Sequence, residues 1–273
     1  MITCLNIILI VCVVSYVGFA ATVYIAPHLF LYHPDTSKPS LQKIMEKIPN
    51  IQEVSLSNIT DAYGWYVKPE KAKKAVVFFH GNSDNASYFL NRARPFVGRE
   101  YAVLVVEYQG FGGRKGYPNQ ISMQTDVELA VAFLNKQGFD NKNIVLYGHS
   151  MGTYLAIYGA SSLGQIHPFN SVILESPFTS VVDMAKRKCL HLFPVRLLLK
   201  KNVYDSIKYI RYINTRILIG HGMKDKTVPY DQGERLFEQA LKPKEFFSSA
   251  EAGHRELPAY GFIDEVLRFL EEK

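Results

Sequence analysis

Not one Asp, Glu, Lys or Arg occurs between Met1 and Pro34, so every one of the 31 basic and 25 acidic residues of this 273-residue chain lies after that head. The head is therefore a different material from the rest. Cysteine is nearly as scarce: of three, Cys4 and Cys12 fall in the apolar head and Cys189 alone stands in the body. That excludes a disulfide framework for the folded part. With 18 Gly, 13 Pro, 48% hydrophobic and 21% charged residues, the composition excludes collagen, low-complexity linkers and a disordered acidic chain. The length excludes a long repeat array and fits one α/β domain plus an anchor.

From Ile7 to Tyr32 the head reads 26 positions without a charge, whereas about 20 helical residues cross a hydrocarbon core of ~30 Å. Tyr16, Tyr24 and Tyr32 supply interfacial aromatics, and Pro27 ends or bends the helix near its far side. A buried helix is one competing reading and a cleaved signal peptide another, with Gly18-Phe19-Ala20 offering small residues at a cleavage spacing. Against cleavage, no Lys or Arg precedes the run, and the run continues past that point. We therefore expect a membrane anchor over residues 1–34, a juxtamembrane linker over 35–50 and the folded domain over 51–273. Lys38, Lys43 and Lys47 follow the span, so the positive-inside rule expects the body on the cytoplasmic side.

In the body, short strongly apolar runs at Ala75 to Phe79, Ala102 to Glu107, Asn143 to Tyr147, Ser171 to Leu174 and Arg216 to Ile219 read as buried strands. Amphipathic segments alternate with them at about Met123 to Lys136, Tyr154 to Leu163, Gln232 to Leu241 and Ile263 to Leu270. Such alternation predicts an α/β fold, a mainly parallel sheet covered by helices on both faces. Val54 to Leu56 and Asp61 to Val67 read as a hairpin on its edge.

The sharpest motif is Gly148-His149-Ser150-Met151-Gly152, between an apolar strand and a helical segment. The pentapeptide alone fits an ordinary Gly-rich turn. Strand before and helix after make it a candidate nucleophile elbow, in which glycines permit the tight turn and the serine hydroxyl is exposed at a helix N-terminus. A serine hydroxyl needs a base to take its proton and the base needs an acid to orient it. In this architecture the chain order is Ser, acid, His. Asp225 follows the strand Arg216 to Ile219, and His254 stands in Ala252-Gly253-His254 before the last helix. The oxyanion requires preorganised NH donors; the backbone NH groups of Met151 and of Asn82, in His80-Gly81-Asn82, are expected to supply them.

These residues resemble the α/β-hydrolase superfamily from about Asp61 to the C-terminus, and within it the small membrane-anchored serine hydrolases that include depalmitoylase-like proteins and bacterial relatives. The likeness rests on His80-Gly81-Asn82, Glu107-Tyr108-Gln109-Gly110-Phe111-Gly112, the serine pentapeptide, Glu175-Ser176-Pro177-Phe178, His221-Gly222 through Asp225 to Val228-Pro229, and Gly253-His254. The resemblance implies a Ser150, Asp225, His254 triad cleaving a carboxylic ester or thioester, without metal or organic cofactor. Glu107, Gln109, Phe111 and Arg114-Lys115-Gly116 depart from the usual pattern, which bears on substrate fit rather than on the reaction. His80, His149 and His221 sit in motif turns with no carboxylate or Cys at ligand spacing, so no metal site is expected.

Between residues 176 and 215 the chain is longer than a simple crossover, and a cap over the site is expected there. From Val181 to Arg211 it holds eight basic residues (Lys186, Arg187, Lys188, Arg196, Lys200, Lys201, Lys208 and Arg211) against Asp183 and Asp205, which is the whole formal net charge of +6. Apolar residues including Met184, Leu190, Phe193 and Leu197 to Leu199 interleave with them. This basic amphipathic pattern fits either a cap with its charges in water or one leaning on anionic lipid. Nucleic acid is not an expected partner, because no binding motif or stacking aromatics accompany the charges. A lipidic acyl substrate is the first functional expectation; a noncatalytic membrane scaffold or an acyltransferase on the same fold are the alternatives.

Overall fold

The computed structural model describes residues 4–187 and 192–272; Lys188, Cys189 and Leu190 of the basic insert lie outside the described residues. The chain opens on helix α1 (Cys4–Ile25), stops before Pro27, and continues through helix α2 (Leu41–Lys47) into an eight-stranded sheet. In chain order its strands are β1 (Gln52–Ser55), β2 (Tyr63–Val67), β3 (Lys74–Phe79), β4 (Tyr101–Val106), β5 (Ile144–His149), β6 (Ser171–Glu175), β7 (Arg216–Gly222) and β8 (Lys244–Ser249). They lie side by side as β8-β7-β6-β5-β3-β4-β2-β1. Pairings β1 with β2 and β2 with β4 are antiparallel, and the others are parallel.

The fully buried central strands are the apolar runs Ala75-Val76-Val77-Phe78-Phe79, Ala102 to Val106, Ile144 to Tyr147 and Val172 to Leu174. Alternation along them feeds two cores. Ala75, Val77 and Phe79 face the side covered by helices α4 (Gln120–Lys136), α5 (Met151–Tyr158) and α7 (Asp231–Gln239), whereas Val76 and Phe78 face α2, α3 (Leu90–Val97) and α8 (Phe262–Glu271). Helices on both faces are what a parallel sheet requires. Helix α6 (Val181–Arg187) and the short turn of helix Val195–Leu198 form the insert beyond β6.

Two elements went unforeseen. Helix α3 carries Pro95 within it, which masks its helical pattern; it is nonetheless held by Leu90, Ala93 and Phe96, all buried. Strand β8 is only partly covered, and its sequence KEFFSS has too few apolar residues to read as buried. The stretch 35–50 also departs from the expected linker: it contains α2, whose Ile44, with Ile48 just beyond it, is 1% exposed in the second core. The physical reason is an amphipathic turn too short to announce itself by periodicity.

Helix α1 holds an apolar span, Asn6–Ile25, of mean hydropathy 2.4. Most of it is bare, with Val11 58% and Val14 65% exposed, but Val23 is 5% exposed and joins the first core. The head is thus packed on the domain at its C-terminal end.

Candidate active site

Strand order reverses between β5, β3 and β4, and the crevice at the carboxyl ends of such strands is where open α/β sheets bind ligands. Every expected site residue is delivered there: Asn82 after β3, Ser150 after β5, Asp225 after β7 and His254 after β8. The turn from β5 into α5 is possible because of its glycines. A Cβ at Gly148 would meet the Gly152 carbonyl oxygen at 2.2 Å, and one at Gly152 would meet the Phe79 oxygen at 2.0 Å. Ser150 itself sits at φ 52°, ψ −119°, a conformation costing about 1–3 kcal/mol that the surrounding packing must hold.

Ser150 Oγ lies 2.9 Å from His254 Nε2, and His254 Nδ1 donates to Asp225 Oδ2 at 2.6 Å. The other Asp225 oxygen accepts the backbone NH groups of Thr227 and Val228, each at 2.8 Å. His221 Nε2, 3.4 Å from Oδ2, donates to the Val228 carbonyl at 3.0 Å. Burial acts to raise the Asp225 pKa, but the hydrogen bonds from His221, His254 and the backbone outweigh it and hold the carboxyl well below the usual carboxylate range. The charge needed to hold an imidazole in one tautomer is therefore present.

Asn82 and Met151 both line the crevice beside Ser150. The Asn82 side chain is occupied, donating from Nδ2 to the Leu31 carbonyl at 2.8 Å, while its own carbonyl accepts from His33 NH at 2.8 Å. The backbone NH groups of Asn82 and Met151 have no acceptor among the described residues. Two free donors and a serine thus share one wall.

Beneath the serine lies a buried polar network that sequence reasoning missed. Arg92 binds Glu175 through Nε and Nη2 at 2.9 to 3.1 Å and the Arg255 carbonyl at 2.9 Å. Tyr147 donates to Glu175 at 2.6 Å. The His254 carbonyl accepts from Ser176 Oγ at 3.0 Å and lies 3.2 Å from His149 Nε2. Burial, and then the nearby Arg92, push the His149 imidazole well below its ordinary pKa, so it is neutral. Glu175-Ser176 stood among the quoted motifs, but Arg92 carried no signal: it sits in an unremarkable helix 83 positions away.

The departures at Glu107 and Arg114, expected to bear on substrate fit, lie elsewhere. None of Glu107, Gln109, Phe111 or Arg114 lines the crevice. Glu107 contacts His80 Nε2 at 3.1 Å and accepts the Ala86 NH at 3.0 Å, and Arg114 binds the Glu107 carbonyl and Asp126. They brace the loop carrying Asn82. His80, His149 and His221 each contact a different polar partner rather than one another.

The cavity in front of Ser150 has a volume of about 230 Å³. The insert provides Phe178, Val181, Met184, Ala185 and Leu199, and no charged residue lines it among the described residues.

The comparisons agree with this architecture. Residues 70–205 match the family model described as serine aminopeptidase, S33. An uncharacterised protein of Mycobacterium tuberculosis is 30% identical over 217 residues, covering 77% of this chain and 74% of that one. Human α/β-hydrolase domain-containing protein 17B is 26% identical over 213 residues, 74% of this chain and 68% of the relative. Among solved structures, an esterase of Pyrococcus furiosus superposes with a TM-score of 0.70 at 18% identity, covering 88% and 97% of the two chains. The chain belongs to the α/β-hydrolase superfamily, and that membership supports a hydrolytic reaction.

Proposed function

We propose that the protein is a membrane-anchored serine hydrolase that cleaves a carboxylic ester or thioester with a lipidic acyl group. The observation that carries the reading is the unbroken hydrogen-bond line from Ser150 through His254 to an ionised Asp225, set in a mainly apolar cavity with no charged side chain among its described lining residues and with two backbone NH groups left without an acceptor among the described residues. Ser150 Oγ attacks the acyl carbon as its proton passes to His254 Nε2. The oxyanion is held by the Asn82 and Met151 NH groups, each donor worth roughly 3–4 kcal/mol of barrier at comparable sites. Collapse breaks the C–O or C–S bond, and His254 returns the proton to the departing alcohol or thiol. Water then enters by the same route, releasing the carboxylic acid and restoring Ser150.

Peptide trimming, as the name of the matching family suggests, finds less support. An aminopeptidase needs a carboxylate for the substrate's ammonium group, and the described residues lining the cavity include no Asp or Glu. Anchoring through residues 1–34 is supported by the 20-residue apolar span. Basic residues of the insert add attraction to anionic lipid: Lys186, Lys200, Lys201, Lys208 and Arg211 make no ion pair among the described residues.

The test is labelling of the full-length protein in membranes with a fluorophosphonate. Wild type is expected to label, and Ser150→Ala and His254→Ala are expected not to. Folded wild type that stays unlabelled overturns the reading in favour of a noncatalytic scaffold. Product analysis with a competing alcohol separates hydrolysis from acyl transfer.

A further inference from the structure

Helix α1 does more than approach the domain. Phe19 and Val23 from its last two turns, with Phe30 and Leu31 just after it, line the same cavity as Ser150. The contact is specific. Tyr16 stacks on Phe193 with ring centroids 4.4 Å apart and planes 7° from parallel, and its hydroxyl donates to the Leu192 carbonyl at 2.9 Å. Phe19 lies 5.1 Å from Phe193, and Lys200 Nζ stands 5.1 Å above the Tyr24 ring. The residues that α1 touches belong to the insert that forms the opposite wall of the cavity.

Depth follows from helix geometry. The 20 residues Asn6–Ile25 make a helix of about 30 Å at ~1.5 Å per residue, the thickness of a hydrocarbon core. On the membrane-anchor reading the whole span crosses, so Tyr16 and Phe19 lie inside the hydrocarbon with Leu192 and Phe193 of the insert beside them. Phe19 is six residues before the end of α1, or about 9 Å below it. That is the depth at which the upper acyl chain of a leaflet lipid runs. Exposed Leu192 and Leu197 on the insert point the same way.

Resting on the membrane-hydrolase reading above, we propose that the last two turns of α1 are a wall of the acyl-binding cavity, and that the substrate is a membrane lipid ester whose chain enters sideways from the leaflet along α1. A cavity of about 230 Å³ is smaller than the ~300–1,000 Å³ typical of sites that enclose a ligand. It takes the carbonyl end of the chain while the remainder stays in lipid. Lys200 and Lys201, beside Tyr24 and Pro27 where α1 ends, favour a lipid with a phosphate headgroup.

The experiment uses the full-length protein in phosphatidylcholine vesicles carrying a long-chain lysophospholipid with a diazirine in its acyl chain. In the Ser150→Ala protein, which needs no turnover, photolysis is expected to mark Val181 or Met184 of the insert together with Val23. Val23→Trp, which fills the cavity, is expected to abolish the marks on the insert, and Val11→Trp, on the bare part of α1, to leave them. Marks confined to the bare face of α1, at Val11 or Val14, overturn the proposal. In the active protein, Val23→Trp is expected to lower kcat/KM for the vesicle lysophospholipid relative to p-nitrophenyl acetate by about ten-fold or more. Equal effects on both esters overturn it, as does an intact lysophospholipid beside cleavage of an S-acylated peptide in the same vesicles. Should Val23→Trp not fold, Val23→Met is the milder filling variant. Wild type that neither labels with fluorophosphonate nor cleaves either ester is a failure of the hydrolase reading, and the photolysis pattern still decides the role of α1.

Discussion

Asp225 shows how much a single side chain depends on its surroundings. Two backbone NH groups and His254 bind its carboxylate, and His221 stands beside it. Because its folded pKa is depressed, this pairing stabilises the fold at every pH above the ordinary carboxylate value of ~3.9 and is lost as pH falls below it. The melting-temperature gap between wild type and Asp225→Asn is therefore expected to narrow as pH drops under about 4. On the proposed mechanism the same substitution is expected to lower kcat by about 10⁴-fold at neutral pH, measured with a p-nitrophenyl ester. Arg92 offers a different residue-scale test, since its removal strands Glu175 in the interior. Arg92→Met is expected to cost about 3–5 kcal/mol in urea unfolding, the range for breaking one partner out of a buried pair. A far smaller loss would mean that Tyr147 alone satisfies Glu175.

At the scale of elements, the strand-turn-helix around Ser150 was legible because its chemistry is local. Gly148 and Gly152 are there for contacts with each other and with β3, and a tight turn leaves a pattern within five residues. The buried parallel strands were legible too, since both faces of each are covered and the sequence runs continuously apolar. Helix α2 was not, because about two turns with Ile44 buried is too short a pattern to rise above its polar neighbours. Its status as part of the domain is testable: Ile44→Ala is expected to destabilise by about 2–5 kcal/mol, as for other buried aliphatic truncations. A linker would tolerate the change without measurable effect.

For the whole molecule, the arrangement makes helix α1 and the candidate site one unit. His33 and Asn82 are hydrogen-bonded through the backbone, and the Asn82 side chain holds the Leu31 carbonyl, so the chain leaving α1 pins the loop proposed to bind the oxyanion. Lys38, Lys43 and Lys47 follow α1 and set the expected orientation, with the body on the cytoplasmic side. In sealed vesicles of known sidedness, external protease is expected to digest the body only where the cytoplasmic face is outward; the reverse pattern would sink that orientation.

Sequence by itself determined what is local or periodic: the apolar span, the alternation of buried strands with amphipathic helices, the serine turn, and the order in which Ser150, Asp225 and His254 follow one another. These are short-range properties, dictated by backbone sterics and by which faces must avoid water. Only the tertiary structure decided what depends on meeting across long separations: Arg92 against Glu175, His149 under His254, and above all Phe19 and Val23 beside Ser150, more than 120 positions away in the chain. No pattern in a single sequence reports which two apolar surfaces will share a cavity, because almost any pair can exclude water and only the folded geometry selects one.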